Sequence, residues 1–138
     1  MIRVVLDTTV LVSAVISPPG PDAQVFELLA AGKIRPYVTE AVIEEYYLLF
    51  EYNRLQHPDK RRIAKLRSQV EGASVKVKSR GWLKISGHES DNRIYECAAA
   101  AKADYIITEN TRHFKKPHAY TKIVTARQFR HLVETGLV

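Results

Sequence analysis

Continuous apolar runs alternate along the chain with stretches of helical spacing. Residues 2–6 (IRVVL) are apolar and rich in β-branched side chains, which is typical of a strand buried on both faces. Four further segments predict strands: KIRPYV, ASVKVK with its period of two, DYIIT and KIVT. Strands that alternate with helices predict an α/β fold, a three-layer α/β/α sandwich around a mainly parallel, roughly five-stranded sheet. We expect a single domain over residues 1–138.

Start and stop signals predict six helices between these strands. The first covers residues 9–16 and ends at the proline and glycine cluster at 18–21. Asp22 is expected to cap the second, which Gly32 stops, and Thr39 to cap the third, which reaches about Leu55. The fourth and fifth are expected over residues 59–70 and 91–102, the latter after Ser90. The last begins with a capping box, Thr125 with Gln128, and Gly136 stops it.

Composition narrows the class of protein. A hydrophobic fraction of 46% and a charged fraction of 26% are those of a soluble globular protein. No apolar run approaches the roughly 18 residues that span a bilayer, and Asp7 interrupts the only run that resembles a signal peptide. The single cysteine, Cys97, excludes an internal disulfide and lies in an apolar helical stretch, which indicates a core residue in a cytoplasmic protein. A net charge of +6 favours anionic partners such as nucleic acid.

Polar residues follow two of the predicted strands. Asp7 comes directly after the first strand, where a carboxylate in apolar surroundings needs a partner, and Glu109 and Asn110 follow DYIIT. Because ligands bind beyond the carboxyl ends of parallel strands, these residues are expected at one edge of the sheet.

Helix geometry selects one glutamate from an adjacent pair. Glu45 shares its helix face with apolar neighbours such as Val42 and Leu49, whereas Glu44 shares a polar face with Glu40. Glu45 is therefore expected to point inward.

A third acid, Asp91, begins an apolar stripe in the first turn of a later helix. Taken alone, Asp91 fits a helix-start acid, Glu45 a surface residue or half of an ion pair, and Asp7 a turn or a cap. Three converging carboxylates would repel one another and raise each other's pKa, so a bound Mg²⁺ or Mn²⁺ is the natural compensation.

Three segments, LDTTVLVSAV, VTEAVIEEY and SDNRIYECAAAAKADYIITENTRHF, resemble the PIN-domain nucleases, and among them the VapC-like toxins of prokaryotic toxin–antitoxin systems. The resemblance assigns Asp7, Glu45 and Asp91 as catalytic and metal-binding residues, and Thr108 matches the threonine or serine before the fourth acidic position. It implies cleavage of RNA phosphodiester bonds with Mg²⁺ or Mn²⁺, a small antitoxin as partner, and it allows a homodimer.

Two positions depart from the family pattern. Thr9 replaces an asparagine, and its hydroxyl can still hydrogen-bond near Asp7, with Thr8 and Thr108 as further supporting residues. Asn110 replaces the fourth acid and offers a neutral oxygen, hence a weaker ligand. Glu109 can replace that acid only if the loop turns it inward.

Basic residues follow Asn110 in the segment ENTRHFKKPH. We expect these side chains to contact RNA phosphates without reading sequence, the alternative being a solvated loop: Arg112, His113, Lys115 and Lys116. The basic helix over residues 59–70 is interpreted as a solvated face. Three histidines lack metal-ligand spacing and are assigned no chemistry: His57, His88 and His131.

Rival functions remain beside the toxin hypothesis. An aspartyl phosphatase is rejected because Thr9 stands where that chemistry needs a second aspartate. A PIN nuclease that processes RNA without being a toxin stays open. So does a protein that binds RNA or a partner with little or no cleavage, because Asn110 lacks the charge of the fourth acid.

Overall fold

The computed structural model describes residues 1–51, 59–79, 81 and 83–136. The elements in this part of the chain are β1 (Ile2–Leu6), α1 (Thr8–Ile16), α2 (Pro21–Ala30), β2 (Ile34–Val38), α3 (Glu40–Glu51), α4 (Lys60–Ala73), β3 (Val75–Lys76), α5 (Glu89–Ala101), β4 (Tyr105–Ile107), β5 (Lys122–Val124) and α6 (Ala126–Glu134). Across these residues the strands form one five-stranded sheet in the order β3-β2-β1-β4-β5, with every pairing parallel. The predicted α/β class and parallel sheet are confirmed.

Helices cover both faces of the sheet. Helix α5 contacts β1, β2 and β4 and packs on α3, whereas α2 and α4 contact β2 and each other, and α2 packs on α6. Crossovers between parallel strands are right-handed. The chain moves outwards from β1 to β2 and β3 and then returns to β4 on the other side of β1. Because the direction across the sheet is reversed, α5 lies on the face opposite to α2 and α4. This is the predicted three-layer sandwich. Among the residues described, no helix combines the length and the apolar character that crossing a membrane requires.

Strand β1 lies at the centre of the sheet, between β2 and β4. Val4 and Val5 point to opposite faces and are both fully buried, as the continuous apolar run predicts. Leu6 pairs with Ile107, so β1 and β4 end side by side. The chain leaves β1 towards β2 on one side and leaves β4 towards β5 on the other. A crevice therefore opens beyond the carboxyl ends of these two strands.

Several predicted helix ends are confirmed. Thr125 and Gln128 form both hydrogen bonds of the capping box at α6. Gly32 and Gly136 follow α2 and α6 with φ of 72°, a left-handed conformation that glycine adopts without steric cost. The hydroxyl of Thr39 accepts a hydrogen bond from the Val42 amide at 3.3 Å at the start of α3. The predicted end of that helix near Leu55 lies outside the described residues.

Three local predictions are wrong. Asp22 does not cap α2, because the helix begins one residue earlier at Pro21, whose fixed φ suits the first helical position, and Gly20 is the N-cap. Helix α5 begins at Glu89, with His88 as N-cap, instead of after Ser90. The segment ASVKVK contributes only the two residues of β3, which pair at the edge of the sheet with Tyr37 and Val38.

Cys97 is a core residue, as predicted. It lies on α5 with no exposed surface, and its Sγ is 3.5 Å from the carbonyl oxygen of Tyr37 on β2. Burial raises the pKa of this thiol to about 12. The thiol is therefore protonated at neutral pH and unsuited to nucleophilic chemistry.

Candidate active site

A cavity of about 240 Å³ lies beyond the carboxyl ends of β1 and β4. The four residues predicted as metal ligands all contribute to its lining: Asp7, Glu45, Asp91 and Asn110. Each comes from a different part of the fold, namely the end of β1, helix α3, the first turn of α5 and the loop after β4. The fold thus brings three carboxylates and one amide, far apart in sequence, to one small space.

Two threonine hydroxyls orient the carboxylate of Asp7. Thr9 Oγ1 and Thr108 Oγ1 each donate to Asp7 Oδ2 at 2.8 Å. Asp7 occupies the N-cap position of α1 but makes no side-chain capping bond. Among the described residues, both donors reach the same oxygen, which leaves Oδ1 as the oxygen available to a ligand.

The same two hydroxyls hold the loop after β4. Thr9 Oγ1 accepts from the Glu109 amide and Thr108 Oγ1 accepts from the Asn110 amide, both at 3.0 Å. Thr108 is fully buried, so its hydroxyl needs these partners. The hydrogen bond that the sequence suggested for Thr9 near Asp7 is present. Its neighbour Thr8, the first residue of α1, lines the cavity.

The two adjacent glutamates of α3 take different positions. Glu44 is exposed, whereas Glu45 is partly buried and lines the cavity beside Tyr46. The buried hydroxyl of Tyr46 donates to the carbonyl oxygen of Leu6, at the end of β1. Burial, followed by electrostatic interactions with Cys97 and Asp7, raises the pKa of Tyr46 well above its ordinary value. This hydrogen bond fixes α3, and with it Glu45, next to the strand that presents Asp7.

Asp91 is 5% exposed, and its carboxylate contacts a serine hydroxyl and a histidine imidazole. Its Oδ2 is 3.4 Å from the donating hydroxyl of Ser86 and 3.2 Å from His113 Nδ1. Burial raises the pKa of Asp91, and the negative charge of Asp7 raises it further, while His113 and then His88 act in the opposite direction. The two carboxylates therefore repel each other across the cavity, as the sequence analysis expected of converging acids.

Asn92 holds the turn that leads into α5. It is 1% exposed, and its Oδ1 accepts from the amides of Ile85 (3.0 Å) and Ser86 (2.7 Å), while its Nδ2 donates to the Ser86 carbonyl at 2.9 Å. These bonds fix the backbone on which the neighbouring Asp91 is carried. Asn92 was not predicted as a site residue from the sequence, although an amide that follows an inward-facing acid was an available signal.

His88, which was assigned no chemistry from the sequence, lies beside this site. Its ring stacks on that of His113, with centroids 4.1 Å apart and planes 15° from parallel. His113, predicted as an RNA contact, lines the cavity and contacts Asp91. Residue spacing did not reveal the pair because His88 precedes a helix and His113 lies in a loop after β4. Of the other two histidines that were assigned no chemistry, His131 is exposed on α6 and His57 lies outside the described residues.

The basic loop after Asn110 is held in place by aromatic packing and a hydrogen bond. Phe114 is buried and packs on Tyr95 with ring centroids 5.3 Å apart, and the Tyr95 hydroxyl donates to the Lys116 carbonyl at 2.6 Å. Three of the predicted RNA contacts are exposed and lie outside the cavity lining: Arg112, Lys115 and Lys116. Their side chains are accessible to a long anionic ligand that passes over the cavity.

Glu109 turns away from the cavity and does not replace the missing acid at position 110. Its Oε1 accepts from the Ala126 amide at 3.0 Å, at the N-terminus of α6, where the helix dipole favours a carboxylate. Its side chain also hydrogen-bonds Asp22, which is 8% exposed. Burial, then the bond to Glu109 and its charge, raises the pKa of Asp22 to about 7.

A cation that the sequence analysis did not consider also borders the cavity. The side chain of Arg93 is 11% exposed and forms ion pairs with Glu96 (2.8 Å) and Glu89 (3.1 Å). Glu96 is itself buried and accepts from the Leu83 amide. The guanidinium is thus compensated by two carboxylates of its own helix.

The family of the chain follows from comparisons with known proteins. A PIN-domain family model matches residues 3–112. The chain belongs to the PIN-domain family. All four ligand candidates of this PIN domain lie within the matched range, which ends at Arg112, before Lys115 and Lys116. An uncharacterised protein of Methanocaldococcus jannaschii, MJ1680, is 25% identical over 93% of this chain and 89% of its own length.

A solved structure has the same fold. A chain in the crystal structure of VapBC2 from Rickettsia felis, bound to a DNA fragment from their promoter, superposes with a TM-score of 0.57 at 17% sequence identity. The similarity covers 88% of this PIN domain and 98% of that chain. At this level of identity the similarity establishes the fold.

Proposed function

We propose that this PIN domain is a divalent-metal-dependent endoribonuclease whose catalytic and metal-binding residues are Asp7, Glu45 and Asp91. The observation that carries the proposal is the convergence of these three carboxylates, from separate elements, on one cavity of about 240 Å³. The raised pKa of Asp91, due to burial and then to Asp7, marks a cluster of acids whose charge a cation would compensate. Asn110 lines the same cavity as a weaker, neutral ligand.

The donor set of the cavity fits Mg²⁺ or Mn²⁺. Carboxylate and amide oxygens are the ligands that these hard cations prefer. Thr9 and Thr108 hold one oxygen of Asp7 in place, which leaves the other for the ion. When bound, the ion would supply an activated water and stabilise charge on the phosphate and the leaving oxygen. The protein itself positions the metal ligands and carries the basic side chains that would bind the substrate.

Charge supports RNA as the substrate class. The protein has a net charge of +6, and exposed cations continue from the cavity along the loop after β4. Arg112, Lys115 and Lys116 would contact phosphates, which holds a strand over the cavity without reading its bases. His113, in the same loop, contacts Asp91.

The fold similarity to VapBC2 and the family membership support a role as the toxin of a type II toxin–antitoxin system, acting in the cytoplasm. Its partner would then be a small cognate antitoxin protein, and a homodimer is compatible with that role. The test is co-expression: growth should stop when this protein is produced alone and recover when the protein encoded beside it is added. Unaffected growth would favour a PIN nuclease that processes RNA without being a toxin.

The decisive experiment measures cleavage of total RNA with Mn²⁺ or Mg²⁺, with and without a chelator. Wild-type protein should cut only with the metal, and Asp7→Asn should abolish cleavage while its melting temperature with chelator stays equal or rises. Glu45→Gln should lose cleavage and metal affinity, whereas Glu44→Gln, the exposed neighbour, is the matched control and should lose neither. Equal losses in the two glutamate variants would contradict the assignment.

A second candidate function is binding of RNA without cleavage. It is favoured by Asn110, which puts an amide where a fourth charge would hold a second metal ion. The same assay separates the two functions, because a binder would retain RNA in a gel-shift experiment while leaving it intact at every metal concentration.

A further inference from the structure

Two imidazoles meet at the Asp91 carboxylate although they come from different segments. His88 precedes α5 and His113 follows β4, yet one ligand atom from each histidine and one from Asp91 all lie within 4.8 Å of one another. His113 Nδ1 is 3.2 Å from Asp91 Oδ2, and the two rings are stacked 4.1 Å apart. This group mixes nitrogen with oxygen donors, unlike the oxygen donors of the neighbouring cavity.

Helix capping and core packing explain only part of this arrangement of side chains. The hydrogen bonds of Asn92 and Ser86 already fix the turn before α5. His88 occupies the N-cap position of that helix, but its side chain makes no capping hydrogen bond. Its ring is exposed and lies on His113, beside a buried carboxylate. Neither helix capping nor core packing therefore requires an imidazole at position 88.

We propose that a second metal-binding site is formed by His88, Asp91 and His113. This site binds one transition-metal ion of borderline hardness, such as Zn²⁺ or Co²⁺. Imidazole nitrogen is a preferred ligand of these ions and a poor one for Mg²⁺, which selects oxygen. Two histidines and one carboxylate leave further coordination sites open, and the exposure of the histidines makes them accessible to water or phosphate. The second site shares Asp91 with the oxygen cavity but does not depend on the proposed nuclease activity.

Binding requires a small movement that the structure permits. Zinc–nitrogen bonds are about 2.0–2.1 Å, so two ligands at a tetrahedral angle lie roughly 3.4 Å apart, closer than the 4.8 Å limit of the present group. An imidazole coordinates in the plane of its ring, so two nearly parallel rings cannot bind the same ion until one of them turns. His88, which is exposed and makes no capping bond, is the ring that turns.

The test uses protein without a polyhistidine tag, in excess Mg²⁺ so that the oxygen cavity is filled by the harder ion. Zn²⁺ binding is measured by calorimetry and Co²⁺ binding by its visible absorption. Wild-type protein should bind one ion, and His88→Gln and His113→Gln should each weaken the affinity at least about tenfold, as loss of a ligand or its supporting partner does. His131→Gln, an exposed histidine on α6, is the control and should bind as the wild type does.

Asp7→Asn distinguishes this site from the oxygen cavity, because it removes a nearby charge but no ligand of the proposed site and should lower Co²⁺ affinity less than either histidine variant does. Histidine ring signals in NMR provide a readout that needs no mutation: of the five histidines, Co²⁺ should shift His88 and His113 the most. Unchanged affinity in either histidine variant, provided that both melt normally with chelator, would overturn the proposal. So would paramagnetic shifts that are larger on another histidine than on these two, or a loss in Asp7→Asn equal to that in the histidine variants. Inactivity towards RNA would alter none of these readouts.

Discussion

Replacing Asp22 by asparagine tests the carboxyl pair that joins α2 to the loop after β4. Asp22 is 8% exposed and hydrogen-bonds Glu109, and burial followed by that partner raises its pKa from 3.8 to about 7. The folded protein therefore holds a proton that the unfolded chain releases near pH 4. Stability gained from this proton is complete below pH 4 and is lost as the pH rises through about 7.

The size of the effect follows from the shift of about three pKa units. At about 1.4 kcal/mol per unit, the pair loses on the order of 4 kcal/mol of unfolding free energy between pH 4 and pH 8. An asparagine amide at position 22 can donate to Glu109 at any pH. We expect Asp22→Asn to match the wild type near pH 4.5 and to exceed it by at least about 2 kcal/mol at pH 8.

Urea unfolding from pH 4.5 to 8.5 measures this difference, since other titrating groups cancel between wild type and variant. Glu27→Gln, an exposed acid on the same helix, is the matched control and should give a difference that does not vary with pH. A pH-independent difference for Asp22→Asn, or a variant less stable than the wild type at pH 8, would refute the assignment of a shared proton.

Three further predictions concern the site. Thr108→Val removes the donor to Asp7 and the acceptor of the Asn110 amide, so unfolding free energy should fall by about 1.5–3 kcal/mol in urea titrations; an unchanged midpoint contradicts this. Alanine at both Lys115 and Lys116 should weaken RNA binding for all sequences and flatten its salt dependence by up to about 0.7 per lost contact, whereas an unchanged slope would mean a solvated loop. Asn110→Asp should tighten Mn²⁺ binding in calorimetry and lower the melting temperature with chelator, and if neither changes, Asn110 is not a ligand.

Local pattern predicted the residues whose positions depend on a single element. The apolar run of β1 places Asp7 at the end of a central strand, and helical spacing distinguishes Glu45 from Glu44. Both rules hold because side-chain direction repeats regularly along a strand or a helix. The extent of β3 could not be predicted in this way, since a period of two shows that a segment is extended but not how many residues find a partner on β2.

Contacts between distant segments could not be predicted from the periodicity of side chains along strands and helices. Asp22 was interpreted as a cap because acids favour helix starts, whereas it is buried and hydrogen-bonds Glu109, which approaches from the loop after β4. His88 was dismissed because no ligand spacing links it to His113. In both cases the decisive partner is set by the packing of layers, which single-sequence periodicity does not encode. Pro21 was a local signal that could have moved the cap to Gly20.

The buried thiol of Cys97 provides a chemical probe of opening motions in the native protein. The thiolate attacks alkylating reagents, and a fully buried group with a pKa of about 12 reacts only when α5 leaves the sheet. Cys97 is the only cysteine of the chain and lies on the same helix as Asp91. Its labelling rate therefore reports how often the segment that carries Asp91 detaches, and any ion that binds Asp91 in the folded state should slow that rate.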